Sequence, residues 1–248
     1  IIDIVNNKFG DFTGHLDRLP QVTFVNDEAR SWIARTDQKF DIIQASWIDT
    51  WAATAAGAFV LTENSLYTVE AWRSFLQHLT PGGVITFTRH YQPARPAEAT
   101  RLVALAREAL RSIGVTDTRR HILLALNRRP HQTSVGGNAT IFVSPHPFSD
   151  ADVARFRQVV TDLSFEMGAS PDSAPGFQPV FASLASGVGL EELEKVWPFR
   201  LDAPTDDQPF FFNMLRMTKM LDPEVRRANK GSPNLRAVST ILGLLATV

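Results

Sequence analysis

The stretch Phe40-Asp-Ile-Ile-Gln-Ala-Ser46, then Thr68 to Leu79, then Pro81-Gly-Gly83 and Val84-Ile-Thr-Phe-Thr88 decides how this chain is read. The first and last pieces are short β-branched or aromatic runs bounded by Asp, Pro or Gly, as strands of a covered sheet are. Between them Val69, Trp72, Phe75, Leu76 and Leu79 recur at helical spacing. Pro-Gly-Gly is expected to stop that helix and feed the next strand. Strand, helix, strand in series imply parallel pairing, so the fold class is α/β.

Working outward, Val22-Thr-Phe-Val25 reads as an earlier strand and Glu28 to Arg35 as a short helix. Downstream, Pro96 to Ile113 carries a helical apolar stripe. His121 to Asn127 and Ala139 to Ser144 are expected to form an antiparallel hairpin. The expected sheet is therefore mostly parallel, with a C-terminal antiparallel hairpin. Ser149, followed by Asp150 and Asp152, marks a helix start, and this helix is expected to reach about Phe165. Residues 168–189, rich in Ser, Gly and Pro, read as a loop, followed by a short helix from Leu190 to Val196. The domain division expected is 1–166 for a nucleoside-binding unit, 167–236 for an extension and 237–248 for an apolar segment.

The 248 residues are 44% apolar, and 25 basic against 26 acidic side chains leave a net charge of −1. At this length and composition a sizeable core forms without staples, which excludes disorder. Near-neutral charge argues against strong nucleic-acid binding. With no cysteine, disulfides and thiolate chemistry are excluded, and the six histidines show no metal-ligand spacing. No signal peptide is visible. The chain reads as starting within a helix, at Ile1 to Phe9, and its last 12 residues, uncharged and preceded by Arg226, Arg227, Lys230 and Arg236, read either as a buried terminal helix or as the start of a membrane helix.

In open α/β sheets ligands bind at the carboxyl ends of strands. Three polar sets are expected there: Asn26, Asp27 and Glu28; Ser46, Trp47 and Asp49; and Arg89, His90 and Tyr91. Ionised carboxylates accept hydrogen bonds from a nucleoside's amino or hydroxyl groups. Asp27 and Glu28 equally suit the cap of the following helix, and spacing alone favours the cap.

Val25-Asn-Asp-Glu-Ala-Arg-Ser-Trp-Ile33, Lys39-Phe-Asp-Ile-Ile43, Ser65-Leu-Tyr-Thr-Val-Glu-Ala-Trp72 and Leu79-Thr-Pro-Gly-Gly-Val84, in that order, resemble the spermidine synthase (polyamine aminopropyltransferase) family. The likeness covers residues 1 to about 128. It implies a Rossmann-like, class I methyltransferase-type sheet whose first strands and glycine-rich loop would precede Ile1. It further implies that Glu28 and the small Ala29, thirteen positions before Asp41, contact the donor's adenine, supported by Asp27. The family's catalytic Asp falls at Ser46 and its amine-binding Asp at Asp49. Ser46 can neither take a proton near neutral pH nor neutralise an ammonium. Glu63, in an apolar gate segment over residues 50–64 that is longer than the family's, is a candidate substitute acid or else a charge ahead of a helix's first turn, and Tyr67 is a residue of the active-site mouth or of the core. Apart from the resemblance, His90, beside Arg89 and Tyr91 at the carboxyl end of a strand, is a candidate to face an acceptor substrate, the alternative being a solvated or turn histidine.

The resemblance implies decarboxylated S-adenosylmethionine or S-adenosylmethionine as donor substrate, an amine as acceptor, and no metal. The alternatives are an S-adenosylmethionine-dependent methyltransferase and a non-catalytic ligand-sensing domain of a membrane protein. Thr205-Asp-Asp-Gln-Pro resembles a motif of bacterial spermidine synthase-like proteins attached to membrane helices. Pro209-Phe-Phe-Phe212 then reads as a strand, a membrane-proximal anchor or core. The expected setting is a cytoplasmic domain of an inner-membrane protein, with a homodimer compatible with it.

Overall fold

The computed structural model describes residues 2–48, 62–127, 136–172, 179–219 and 222–230, with Leu235, Ser239 and Gly243. It divides into two units, Ile1–Thr36 and Asp37–Val248.

The first unit holds a π-helical turn at Ile4–Lys8, the single turn α1 (Gly10–Thr13) and α2 (Ala29–Arg35). Val22 to Val25 is not a strand, which corrects the sequence expectation. A strand persists only through ladder partners, and this segment has none among the described residues. Phe24 and Val25 stay largely exposed, and Phe12 is 90% exposed.

The second unit is built on a five-stranded sheet of order β1-β2-β4-β3-β5. Its strands are β1 (Phe40–Ser46), β2 (Leu79–Tyr91), β3 (Ile122–Asn127), β4 (Gly137–Val143) and β5 (Glu166–Ala169). Helices α3 (Val69–Gln77), α4 (Ala97–Ser112), α5 (Asp150–Asp162), α6 (Pro179–Ser186), α7 (Leu190–Val196) and α8 (Pro223–Ala228) complete it. The fold is α/β, but β1–β2 is the one parallel pairing and the other three are antiparallel. The mostly parallel sheet expected from the sequence is thus corrected. The hairpin is the reason: β4 turns back from β3 and inserts between β2 and β3, so it opposes both neighbours.

Two further expectations change. Helix α3 ends at Gln77, and β2 begins at Leu79, so Pro81-Gly-Gly83 lies inside the strand rather than before it. Phe40 pairs with Leu79 while Ile42 pairs with Val84, so the extra residues bulge, and proline is tolerated there because no ladder donor is required. Gly83 is needed because a Cβ would lie 2.8 Å from the Phe40 carbonyl oxygen. Residues 168–189, expected as a loop, contribute the end of β5 and all of α6. The Ser and Gly content of that stretch masks the buried set Val180, Phe181, Leu184 and Ala185, which packs against α4.

Helix α4 is the centre of the core. Leu102, Val103, Leu105, Ala106, Ala109 and Leu110 are fully buried between the sheet, α3 and α6. Helix α5 starts at the predicted Ser149, which with Asp152 closes a capping box, Asp152 N–H donating to Ser149 Oγ (3.2 Å) and Ser149 N–H to Asp152 Oδ2 (2.9 Å), but it stops at Asp162, short of Phe165. Among the described residues no helix is long and apolar enough to cross a membrane. Of 237–248, only Ser239 and Gly243 are described.

Candidate functional site

The parallel pairing of β1 with β2 sets Ser46 opposite Thr88 and brings the two strand ends side by side. Ser46 is exposed. Trp47 follows with φ of +54°, a left-handed conformation costly for a bulky side chain, and such strain concentrates at functional sites. Its indole meets the His90 ring edge-on, with centroids 3.9 Å apart. Arg89, His90 and Tyr91 are not past the strand, as the sequence suggested, but are its last three residues, laddered to Ala139, Asn138 and Gly137. The strand extends because β4 supplies partners up to Tyr91. Tyr91 is buried beside Phe181, in the core.

Arg89 organises this end of the sheet. It is buried, its Nε donates to Glu98 Oε2 in the first turn of α4 (2.8 Å), and its Nη1 donates to the Tyr67 hydroxyl (3.3 Å). Its guanidinium carbon lies 4.8 Å from the Phe212 ring centroid, 5.6 Å from that of Tyr67 and 5.7 Å from that of Trp47, within cation–π range of all three. Burial pushes the Glu98 carboxyl above the usual carboxylate range, against the opposing pull of Arg89. Burial also lowers His90 to about 4, with Arg89 adding to the effect, so its imidazole is uncharged at neutral pH.

Tyr67 is fully buried, stacked on Phe211 with centroids 4.5 Å apart. Of the two readings open in the sequence, the core is the one realised. Burial, with the charge of Glu98, raises its hydroxyl well above the usual phenol range. The Ser-Leu-Tyr-Thr motif is held by its own polar groups. Asn64 Oδ1 accepts from Leu66 N–H, Thr68 Oγ1 caps α3 at Ala71 N–H (3.2 Å), and Trp72 Nε1 donates to the Leu66 carbonyl (3.1 Å). The Pro204–Phe212 segment latches onto it, through Asn64 N–H to the Pro209 carbonyl (2.8 Å), Val69 N–H to the Pro204 carbonyl (2.9 Å) and Asp206 N–H to Glu70 Oε2 (3.0 Å). From α4, fully buried Arg101 donates to the Phe210 carbonyl (3.3 Å). Phe211 and Phe212 are therefore core, neither strand nor anchor.

Glu63 is exposed just ahead of Asn64, and Asp49 lies outside the described residues, as does the gate segment up to residue 61. Asp27, Glu28 and Ala29 belong to the first unit. There Glu28 is the cap of α2, accepting from Arg30 N–H (3.1 Å) and Ser31 N–H (2.7 Å). Slight burial works to raise its pKa, yet these N–H groups win and hold it below the usual range. Asp27 accepts from Glu28 N–H (2.8 Å) and from Arg35, and Ala29 opens the helix.

Sequence reasoning missed Glu98 and Phe212 as partners of Arg89. The one signal was an acid in the first turn of a helix, which ordinarily reads as a dipole charge. Among the described residues no group of acids and histidines is placed to hold a metal. A separate open groove of about 440 Å³, lined by Arg200, Asp202, Asn213 and Arg216 among others, contains none of the residues singled out from the sequence. The chain matches no protein-family model and no curated protein.

Proposed function

We propose that this chain is a spermidine synthase-like transferase domain with a Rossmann-like donor half, which alkylates an amine from decarboxylated S-adenosylmethionine or S-adenosylmethionine. The observation that carries the reading is the side-by-side placement of Ser46–Trp47 and Thr88–His90 at the carboxyl ends of the parallel strands β1 and β2, where open α/β sheets bind ligands. The common direction of β1, β2 and β3, with β4 inserted in reverse, supports an open sheet of that kind.

In the reaction the acceptor nitrogen's lone pair attacks the carbon bound to the sulfonium. The C–N bond forms as the C–S bond breaks, its electron pair leaves on sulfur as a neutral thioether, and the new ammonium releases its proton to water. Ser46 hydrogen-bonds the amine but does not deprotonate it, and His90, with a pKa near 4, is a poor proton acceptor. Rate enhancement then comes from positioning in line, with Asp49 orienting the amine by charge. Attachment to a membrane on its cytoplasmic side, through residues 237–248, belongs to the same reading.

The test expresses the whole open reading frame and supplies each donor with a panel of amines. Alkyl transfer lost in Asp49→Asn supports the proposal, and failure of both donors to bind overturns it. Exposed Ser46 at the expected base position favours one second reading, a ligand-sensing domain, for which donor binding without turnover would be the signature.

A further inference from the structure

The groove of about 440 Å³ is walled by positive charge that the chain leaves partly unbalanced. A short antiparallel bridge between Phe199 and Leu215 builds it. Arg200 N–H donates to the Met214 carbonyl (2.6 Å) and Arg216 N–H to the Pro198 carbonyl (3.1 Å), which brings both arginines to the one groove. Phe199 and Leu215 are buried and anchor the bridge in the core.

Each guanidinium is held by part of its donor set and keeps the rest. Arg200 donates through Nε to Asp202 Oδ1 (3.0 Å) and through Nη2 to Asp202 Oδ2 (2.7 Å), which leaves Nη1. Arg216 donates through Nη1 to the Glu194 backbone carbonyl, in the last turn of α7. Its Nε–Nη2 edge remains, a fork that matches two oxygens of an oxyanion. Asn213, also on the wall, has a side-chain amide with no hydrogen bond among the described residues.

Fully buried Arg101, from α4, turns to the same Asp202 (Nη1 to Oδ1, 3.5 Å), so one carboxylate serves two guanidinium groups. The buried Nε of Arg101 has no acceptor among the described residues. Burial lowers its pKa to about 10, with Asp202 opposing and Arg200 adding to the effect, so it keeps its charge at neutral pH. No described carboxylate pairs with Arg216, and Asp49, next to Ile48 after β1, is the only Asp or Glu side chain outside the described residues. Glu194 also lines the groove, but it is exposed, where water screens its charge. Arg101, Arg200 and Arg216 against Asp202 thus leave an excess of about two positive charges.

A phosphate monoester carries about −1.5 to −2 at pH 7 and offers three acceptor oxygens, whereas a carboxylate has one charge and two oxygens. Small-molecule sites span about 300–1,000 Å³, so the groove has room beyond the phosphate for an organic part. We infer that this groove binds the phosphate monoester of a small molecule, its oxygens taken by the Arg216 Nε–Nη2 edge, Arg200 Nη1 and the Asn213 amide. The inference is independent of the transferase reading: it uses no residue of the strand ends and involves no bond change.

The experiment is calorimetry on the product of the whole open reading frame, in phosphate-free buffer. Phenyl phosphate is compared with benzoate, which shares its ring and differs in the anion, and with inorganic phosphate. The expected result is that phenyl phosphate binds at least about tenfold tighter than benzoate and no more weakly than inorganic phosphate. A smaller preference over benzoate, tighter binding of inorganic phosphate, or no binding of phenyl phosphate overturns the inference. Arg216→Gln is expected to weaken phenyl phosphate at least about tenfold, whereas Arg155→Gln, at an exposed arginine of α5 outside the groove, should leave it within about twofold. Asn213→Ala removes one donor and no hydrogen bond of the fold, and is expected to weaken it at least about threefold. Parent-like affinity in either groove variant, or an equal loss in Arg155→Gln, overturns the inference.

Discussion

Replacing Glu98 by Gln tests the buried pair that holds the site together. The side chains of Arg89 and Glu98 are 5% and 16% exposed, so little water is available to solvate a guanidinium left without its carboxylate. Breaking such a pair costs about 3–5 kcal/mol, mostly as the penalty of an uncompensated buried charge. Glutamine keeps an oxygen that can still accept from Arg89 Nε, and the Tyr67 hydroxyl and three rings remain, which places the expected loss near the lower bound, about 3 kcal/mol. For a domain of this size that is a fall in Tm of about 6–12 °C. Urea denaturation followed by circular dichroism measures it, with an unchanged m-value as the sign that the unfolded state is unaffected. The Arg89→Met/Glu98→Gln double variant removes both charges and is expected to recover to within about 1 kcal/mol of the parent. A Glu98→Gln variant within about 0.5 kcal/mol of the parent, or a double variant less stable than the single, would refute the role given to this pair.

Three other outcomes follow from the packing, the strand-end chemistry and the titration of His90. Phe211→Ala, at a fully buried ring stacked on Tyr67, is expected to cost about 3–5 kcal/mol, whereas Phe12→Ala, at a ring 90% exposed, is expected to stay within about 0.5 kcal/mol; chemical denaturation compares them, and equal effects would contradict the core assigned to the Pro209–Phe212 segment. Because no described side chain at the strand ends is suited to deprotonate the amine, kcat/KM for alkyl transfer should climb with pH until the amine's own pKa near ~10, with no limb from an enzyme base near 7. His90 titrates lower in the folded state than its ordinary 6.5, so the neutral ring favours folding above that value, and this contribution is lost as pH falls from 6.5 through about 4; a His90→Asn variant should flatten that part of the stability curve.

Much of the second unit was legible because its signals are local. Ile42 and Ile43, and the run from Ile85 to Thr88, carry strand preference in their own side chains. Ser149 and Asp152 close a capping box within one turn, and the β3–β4 hairpin joins two apolar runs across one loop. Thr68 capping α3 is equally a matter of neighbouring residues.

The site was less legible, since its partners come from distant segments. Arg89 read as a polar residue beyond a strand, yet β4 prolongs that strand, and the guanidinium turns inward to a carboxylate on α4 and a ring from residue 212. Glu28 shows the converse. Its capping geometry is set by two following N–H groups, and the sequence spacing already favoured it.

Residue order by itself determined which stretches prefer strand or helix, where two helices begin, and that β1 and β2 are joined through a helix. Tertiary structure alone decided that Val22–Val25 forms no strand, that Pro81-Gly-Gly83 becomes a bulge within one, and that Trp47, Tyr67 and Phe212 close around Arg89. The physical reason is that a preference is stored in a residue and its near neighbours. A ladder, a buried charge pair or a ring stack exists only when chain far away in sequence arrives to complete it.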